Sequence, residues 1–422
     1  KLGSIATAYE EQGDQARRNG RLPEALRLYR ESQEIVSRPV IQEKLGSIAT
    51  AYEEQGDQAR RGARLQEGFE LYKTRLQEAL EFYKSSTAVQ EQSDVQRKIA
   101  DVQRKIASFP WRYRMNSDVD SSPTVSGDRV YVGIDNDYVY ALDARTGDQI
   151  WRYGTGGSVR SSPTVSNGRV YAGSGDSYLY ALDARTGDQI WRYGTGGSVR
   201  SSPTVSNGRV YVGSDDSYLY ALDARTGDRV WRYKTNSSVS SSPTVSGGRV
   251  YVSGYRSVHA LDARTGDRVW RYKTNSYVSS SPAVSGGRVY VGSINNYVYA
   301  LDADTGDRVW RSYTGGGIYS SPAVSGGRVY VGSADNYVYA LDASTGDRIW
   351  RYETGENVSS SPAVSGGRVY VGSDDNYVYA LDADTGDRVW RYETGGNVAS
   401  PTVSGGRVYV GSGDRYVYAL PK

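Results

Sequence analysis

From residue 110 onward, apolar and polar positions alternate in short bursts. The stretch that begins at Trp350 reads WRYETGENVSSSPAVSGGRVYVGSDDNYVYALDADTGDRV. Within it, R-V-Y-V-G-S, Y-V-Y-A-L-D and R-V-W-R-Y carry the period of two expected of half-buried strands, and S-S-P-A-V forms another run with proline at its edge. S-G-G, D-D-N and D-x-T-G-D separate these runs as turn formers. The first 108 residues follow a different pattern. They are rich in Glu, Gln, Arg, Ala and Leu, the strong helix formers, and contain no tryptophan.

The pattern repeats. Tryptophan falls at 111, 151, 191, 231, 270, 310, 350 and 390, a spacing of 40 with a single 39. The proline of the S-P step keeps the same rhythm at 123, 163, 203, 243, 282, 322, 362 and 401. Four short antiparallel strands every 40 residues, eight times over, predict a β-propeller, because no single unit could bury both faces of its sheet. The fold class is therefore mainly β with an α-helical N-terminal arm: residues 1–108 as the arm and 109–422 as an eight-bladed propeller. The region opens on a fourth strand at Trp111 and closes on a third strand ending at Leu420. The Trp111 strand should thus complete the last blade beside Val417 and Tyr418.

The segment Ala141–Trp151, ALDARTGDQIW, has the form A-x-D-x-x-T-G-x-x-x-W and recurs in full seven times. It resembles the repeat of the pyrroloquinoline-quinone-type β-propellers. That resemblance implies that Trp111, Trp151, Trp191, Trp231, Trp270, Trp310, Trp350 and Trp390 dock between neighbouring blades, each against a glycine-containing turn. Dehydrogenases of this family hold a quinone above the central channel, stacked between a tryptophan and a vicinal disulfide beside calcium. Other members, the envelope assembly lipoproteins of bacteria, are non-catalytic and bind protein partners.

Composition favours the second branch. The chain has no cysteine, so no disulfide, and every tryptophan belongs to the docking motif. The propeller holds three glutamates, Glu353, Glu356 and Glu393, in loops on the face where the family places its cofactor. Calcium there is less economical than solvated side chains. His259, the single histidine, replaces a strand tyrosine and cannot serve eight equivalent S-S-P serines. No catalytic residue, cofactor or metal site is assigned, and no small-molecule substrate is identified. Alternatives are a quinone- or calcium-dependent dehydrogenase and a carbohydrate- or cell-wall-binding propeller. The many tyrosines would suit the latter, although strand packing accounts for most of them. The 51 basic and 48 acidic residues leave a net charge of +3, without the basic excess of a nucleic-acid binder. No apolar run reaches the roughly 20 residues of a membrane span. Lys1 in place of Met reads as a mature or trimmed product, and an extracytoplasmic location is expected, with the cytoplasm as the alternative.

Function should then reside where the repeats differ. One variable position closes the fourth strand (Arg114, Lys234, Lys273, Tyr313, Glu353, Glu393). Another precedes the S-P step (Asp120, Arg160, Arg200, Tyr319). Both are expected on or near one rim of the channel, either as a charge gradient that orients a protein partner or as a plain solvated rim. A third variable stretch, the turn before Y-V-Y, is expected on a different edge as ordinary turn chemistry. In the arm, residues 1–18 recur identically at 44–61, and Gly20, Ala25 and Tyr29 resemble the core of a tetratricopeptide repeat. Val95, Ile99, Val102 and Ile106 are spaced 4, 3, 4 like a coiled-coil seam, but two heptads are short for one, which favours a helix packed within the chain or between subunits. Arm and propeller face together predict a scaffold that binds proteins or its own copies.

Overall fold

The computed structural model describes residues 11–18, Leu28 and 110–422. Residues 11–18 form a short helix that buries Gly13 and Ala16, three residues apart on one face. The tetratricopeptide-like pairing, the 94–107 seam and the 108/109 boundary lie outside the described residues. By its contacts the chain divides into two units, Lys1–Pro110 and Trp111–Lys422.

The second unit contains eight four-stranded antiparallel sheets. Blade six shows the pattern, with strands Ala323–Ser325, Arg328–Gly332, Tyr337–Asp342 and Arg348–Glu353. The first strands of successive blades touch one another all the way round, so they line the centre and the fourth strands form the perimeter. Blade eight joins Thr402–Ser404, Arg407–Gly411 and Tyr416–Pro421 to Trp111–Arg114. Trp111 lies opposite Ala419, Arg112 opposite Tyr418 and Tyr113 opposite Val417, so the ring closes as the strand count requires.

Burial explains the two sequence textures. The second and third strands are buried on both faces, because each blade is sandwiched between two others. Their valines and tyrosines serve opposite neighbours. Tyr330, Val338, Ala340 and Trp350 of blade six pack with Val369, Val371, Tyr379 and Leu381 of blade seven. Only the fourth strand keeps a solvated face and alternates openly. The first strand is shorter than the S-S-P-A-V pattern suggests and begins after the proline, which has no N–H to give to the ladder. The serines before it are used otherwise. Ser161 Oγ donates to the Gly173 carbonyl and accepts from its N–H, tying the loop to the second strand. Ser162 N–H donates to Ser202 Oγ of the next blade, a link repeated from Ser122 round to Ser400.

The blade interfaces are held by one recurring device. Trp191 Nε1, Tyr171 Oη and Arg169 Nη1 all donate to the carbonyl of Ala224 in the next blade, at 3.3, 2.9 and 3.0 Å. The glycine three residues on, Gly227, has φ of +81° and lies flat on the Trp191 ring, where a Cβ would come within 2.7 Å. A side chain there would be strained and would also strike the indole. Asp223 builds the turn: its carboxylate accepts from the N–H groups of Arg225 and Thr226. Seven tryptophans meet such a glycine. The eighth, Trp390, departs from the expected ring of equal contacts. It is half-buried, because blade eight has Pro421 and Lys422 where the others continue into Asp-x-x-Thr-Gly.

Candidate partner-binding face

In an antiparallel blade the end of the fourth strand, the loop into the next blade and the turn between the second and third strands share one face. The variable turn is therefore not on a separate edge, as the sequence suggested. Gly175 N–H donates to Ser158 O, and Thr155 N–H to Asp137 O, so turn and loop are laid one on the other. All three variable sets converge on this face. The opposite face carries the S-G-G and D-x-T-G-D turns, which change little from blade to blade.

The expected single rim separates into two concentric rings. Arg114, Lys234, Lys273, Tyr313, Glu353 and Glu393 end the outermost strands, opposite Tyr416, Tyr218, Ser257, Tyr297, Tyr337 and Tyr377. They belong to the perimeter, away from the channel. Asp120, Arg160, Arg200 and Tyr319 precede the central strands and form the inner ring. The two arginines of the inner ring are ion-paired from within the protein. Arg160 grips Asp135 through Nε and Nη2 at 3.0 and 2.9 Å, and Arg200 lies 3.3 Å from Asp215.

The inner ring divides by character. Beside the closing blade is a cavity of about 560 Å³ lined by Asp118, Asp120, Ser359, Asp374, Asn397 and Val398, among others. Burial, reinforced by Asp135, raises the Asp120 carboxyl above its ordinary range. Burial also raises Asp374, although Ser359 Oγ donates to it at 3.1 Å. Here the loop is one residue short, and Val398-Ala399 replaces the longer run of the other blades.

Across the ring the surface is aromatic. Tyr255 of blade four is 50% exposed and its ring lies 6.1 Å from that of Tyr277. The Tyr277 carbonyl accepts from Ile294 N–H at 3.1 Å, and Ile294 and Tyr319 flank Gly317. Tyr313 and Tyr319 are 62% and 53% exposed. The loops and turns of this sector, 234–243, 254–257, 273–282, 293–297 and 313–322, contain Lys234, Arg256 and Lys273 and no carboxylate. Tyr255, Tyr277 and Ile294 escaped the sequence reading, which treated the turns as ordinary. The available signal was the loss of Asp and Gly at those repeat positions.

His259 has a structural setting. Blade four lost one turn residue, and with it the aspartate that in five other blades accepts from the third-strand tyrosine, as Asp176 does from Tyr180 at 2.6 Å. His259 instead bonds Ser257 Oγ at 2.8 Å and Tyr233 Oη at 3.3 Å. It is 2% exposed, and burial, with Arg271 and Arg268 adding to it, pushes its pKa down to about 4.

The donor set does not fit a quinone with calcium. Seven indoles donate to carbonyls of the adjoining blade. Trp390 is on the perimeter strand, with its ring 5.9 Å from Tyr370. Among the described residues no three His, Cys, Asp or Glu side chains are grouped as metal ligands. Glu353 and Glu393 sit at the perimeter, where Glu353 accepts from Tyr337. No helix of the described residues is long and apolar enough to cross a membrane.

Comparison with known proteins agrees with this geometry. No curated protein matches the chain by sequence. BamB from Moraxella catarrhalis superposes with a TM-score of 0.65 at 23% identity, over 74% of this chain and 98% of that one. The computationally designed Ika8 protein gives 0.67 at 17%, over 73% and 98%. Quinohemoprotein alcohol dehydrogenase from Comamonas testosteroni gives 0.62 at 18%, over 76% and 78%. At these identities the likeness is one of fold. Sequence matches to the family described as outer membrane protein assembly factor BamB cover residues 98–201, 175–277, 254–360 and 349–422, and the chain belongs to that family.

Proposed function

We propose that the chain is a non-enzymatic protein-interaction module of an envelope assembly, working outside the cytoplasm, and that it holds its partner on the variable face. The observation that carries this reading is the sector of exposed Tyr255, Ile294 and Tyr319, with half-buried Tyr277 against Tyr255, on a ring whose other turns are mostly polar. Exposed aromatic surface rimmed by cations is the composition of binding hot spots. Membership in a family named for outer membrane protein assembly supports both the kind of work and the place. The outer ring, including Lys234, Lys273 and Tyr313, frames the same sector. Arg160 and Arg200, already ion-paired, contribute less.

A photo-crosslinking residue placed at Tyr319 and, separately, at Ser344 on the opposite face tests this in cells that make the protein. The reading expects a protein adduct from position 319, abolished by Tyr255→Ser with Tyr277→Ser, and none from position 344. Equal labelling from both faces, or labelling unaffected by the two substitutions, overturns it.

A further inference from the structure

The outer ring of the variable face carries an order that no single blade shows. From blade three to blade seven the outermost strands end in Lys234, Lys273, Tyr313, Glu353 and Glu393. All five are exposed, and each holds the same place in its blade, opposite the first residue of the third strand. The blades follow one another round the ring. Blade five is thus flanked by two cations on one side and two carboxylates on the other, at equal steps from Tyr313. Among the described residues none of these four charges has an ion-pair partner, unlike Arg160 and Arg200.

The loops and turns keep the same division. The stretches 333–337, 353–362 and 373–377 hold five carboxylates and no cation, the reverse of the sector around Tyr255. Between the two lie the turn 293–297 and the loop 313–322, which carry no charge. They expose Ile294, Tyr313 and Tyr319 instead, and the Tyr313 ring stands edge-on to Tyr297 at 5.4 Å. An apolar centre with charges outside it is the layout of a protein interface.

Such an order is complementary to itself. In a two-fold contact residue i of one copy meets residue j of the other, and j meets i. A two-fold axis running along blade five exchanges the two sides of that blade. Lys273 then meets Glu353 of the second copy and Lys234 meets Glu393, each pair twice, while Tyr313 lies against its own equivalent. A foreign partner would need the reversed order independently; a second copy carries it by symmetry. We propose that this part of the face joins two copies of the chain, face to face about an axis through Tyr313. The contact covers Ile294 and Tyr319. A second copy and the envelope partner therefore compete for one surface, a consequence that rests on the function proposed above, as the dimer itself does not.

Sedimentation of the purified full chain in low salt tests the dimer. Self-association is expected, weakened roughly tenfold when added salt screens the exposed pairs. Lys234→Glu with Lys273→Glu should be monomeric, as should Glu353→Lys with Glu393→Lys, and the two variants mixed should form a heterodimer. Arg225→Glu with Arg264→Glu, an equal change of net charge on the opposite face, should dimerise as wild type does. The chain has no cysteine, so single cysteines map the axis. Tyr313→Cys should give a disulfide-linked dimer under a mild oxidant. Lys234→Cys should not, and should cross-link only when mixed with Glu393→Cys. A chain that stays monomeric at every concentration overturns the proposal. So does a dimer indifferent to both charge reversals, or equal cross-linking at positions 313 and 234. A dimer with no foreign adduct from position 319 in cells would sink the function alone, and a foreign adduct with no dimer would sink the dimer alone.

Discussion

The interface between blades six and seven and the one between blades seven and eight begin from the same side chains and finish differently. In the first, Trp350 and Tyr330 donate to Ala383 at 3.1 and 3.2 Å, and Gly386 covers the indole. In the second, Trp390 and Tyr370 have the same ring contact, 5.9 Å against 5.8 Å, but no turn to receive them. The difference separates two roles that the repeat motif fuses. Packing of tryptophan on tyrosine belongs to a single blade and survives. Docking belongs to a pair of blades and requires the neighbour's turn.

The largest test of that separation is truncation of the indole. Trp350→Ala removes the ring, its hydrogen bond and its seat for Gly386, and should destabilise by about 3–5 kcal/mol. Trp390→Ala removes a half-buried ring with fewer partners and should lose about half as much. Urea midpoints of the two variants check this. Equal losses would mean that the glycine turn adds nothing to the dock.

Blade four supplies a second irregular interface, where a deletion alters the pattern. With the turn aspartate gone, His259 takes the tyrosine's place and is held at a pKa of about 4. Above pH 6.5 the imidazole is neutral in folded and unfolded chains alike. Between 6.5 and about 4 the unfolded chain binds a proton that the folded chain refuses, so stability falls as the pH falls. The full difference is about 3 kcal/mol. Wild-type protein should therefore lose about 2 kcal/mol more stability between pH 7 and pH 4.5 than His259→Phe, which has no such group. Parallel denaturation curves for the two would show that burial does not hold the imidazole neutral.

Much of this was legible in the sequence, and the failures have physical causes. Tryptophan spacing counts blades because each repeat is one sheet, and the truncated Ala-Leu-Pro-Lys announces how the ring closes. That Trp390 would be the tryptophan affected was not legible without knowing that each indole reaches into the following blade. Strand direction alone could have placed the two variable stretches on one face. Their radial separation needed the ring itself, since Glu353 and Asp120 look alike until the fourth strand is seen outside the first. Ion pairing escaped for a similar reason. Arg160 reaches back to Asp135 in blade one, but Arg200 finds Gly175 at the corresponding place and turns to Asp215 of its own blade.

The smallest predicted effect separates the interfaces by sign. In Tyr330→Phe a buried hydroxyl that donates to Ala383 is removed, and the carbonyl keeps Trp350 as a donor. The loss should be about 1 kcal/mol, the net contribution of one hydrogen bond. In Tyr370→Phe the hydroxyl removed is buried and has no acceptor, so the same deletion relieves an unmet desolvation penalty. The variant should be neutral or more stable by up to about 1 kcal/mol, since replacing an unsatisfied polar group by an apolar one of the same shape is favourable. Thermal melts of the two variants beside wild type decide it. A destabilised Tyr370→Phe would show that something already accepts this hydroxyl, and the eighth interface would then be as complete as the other seven.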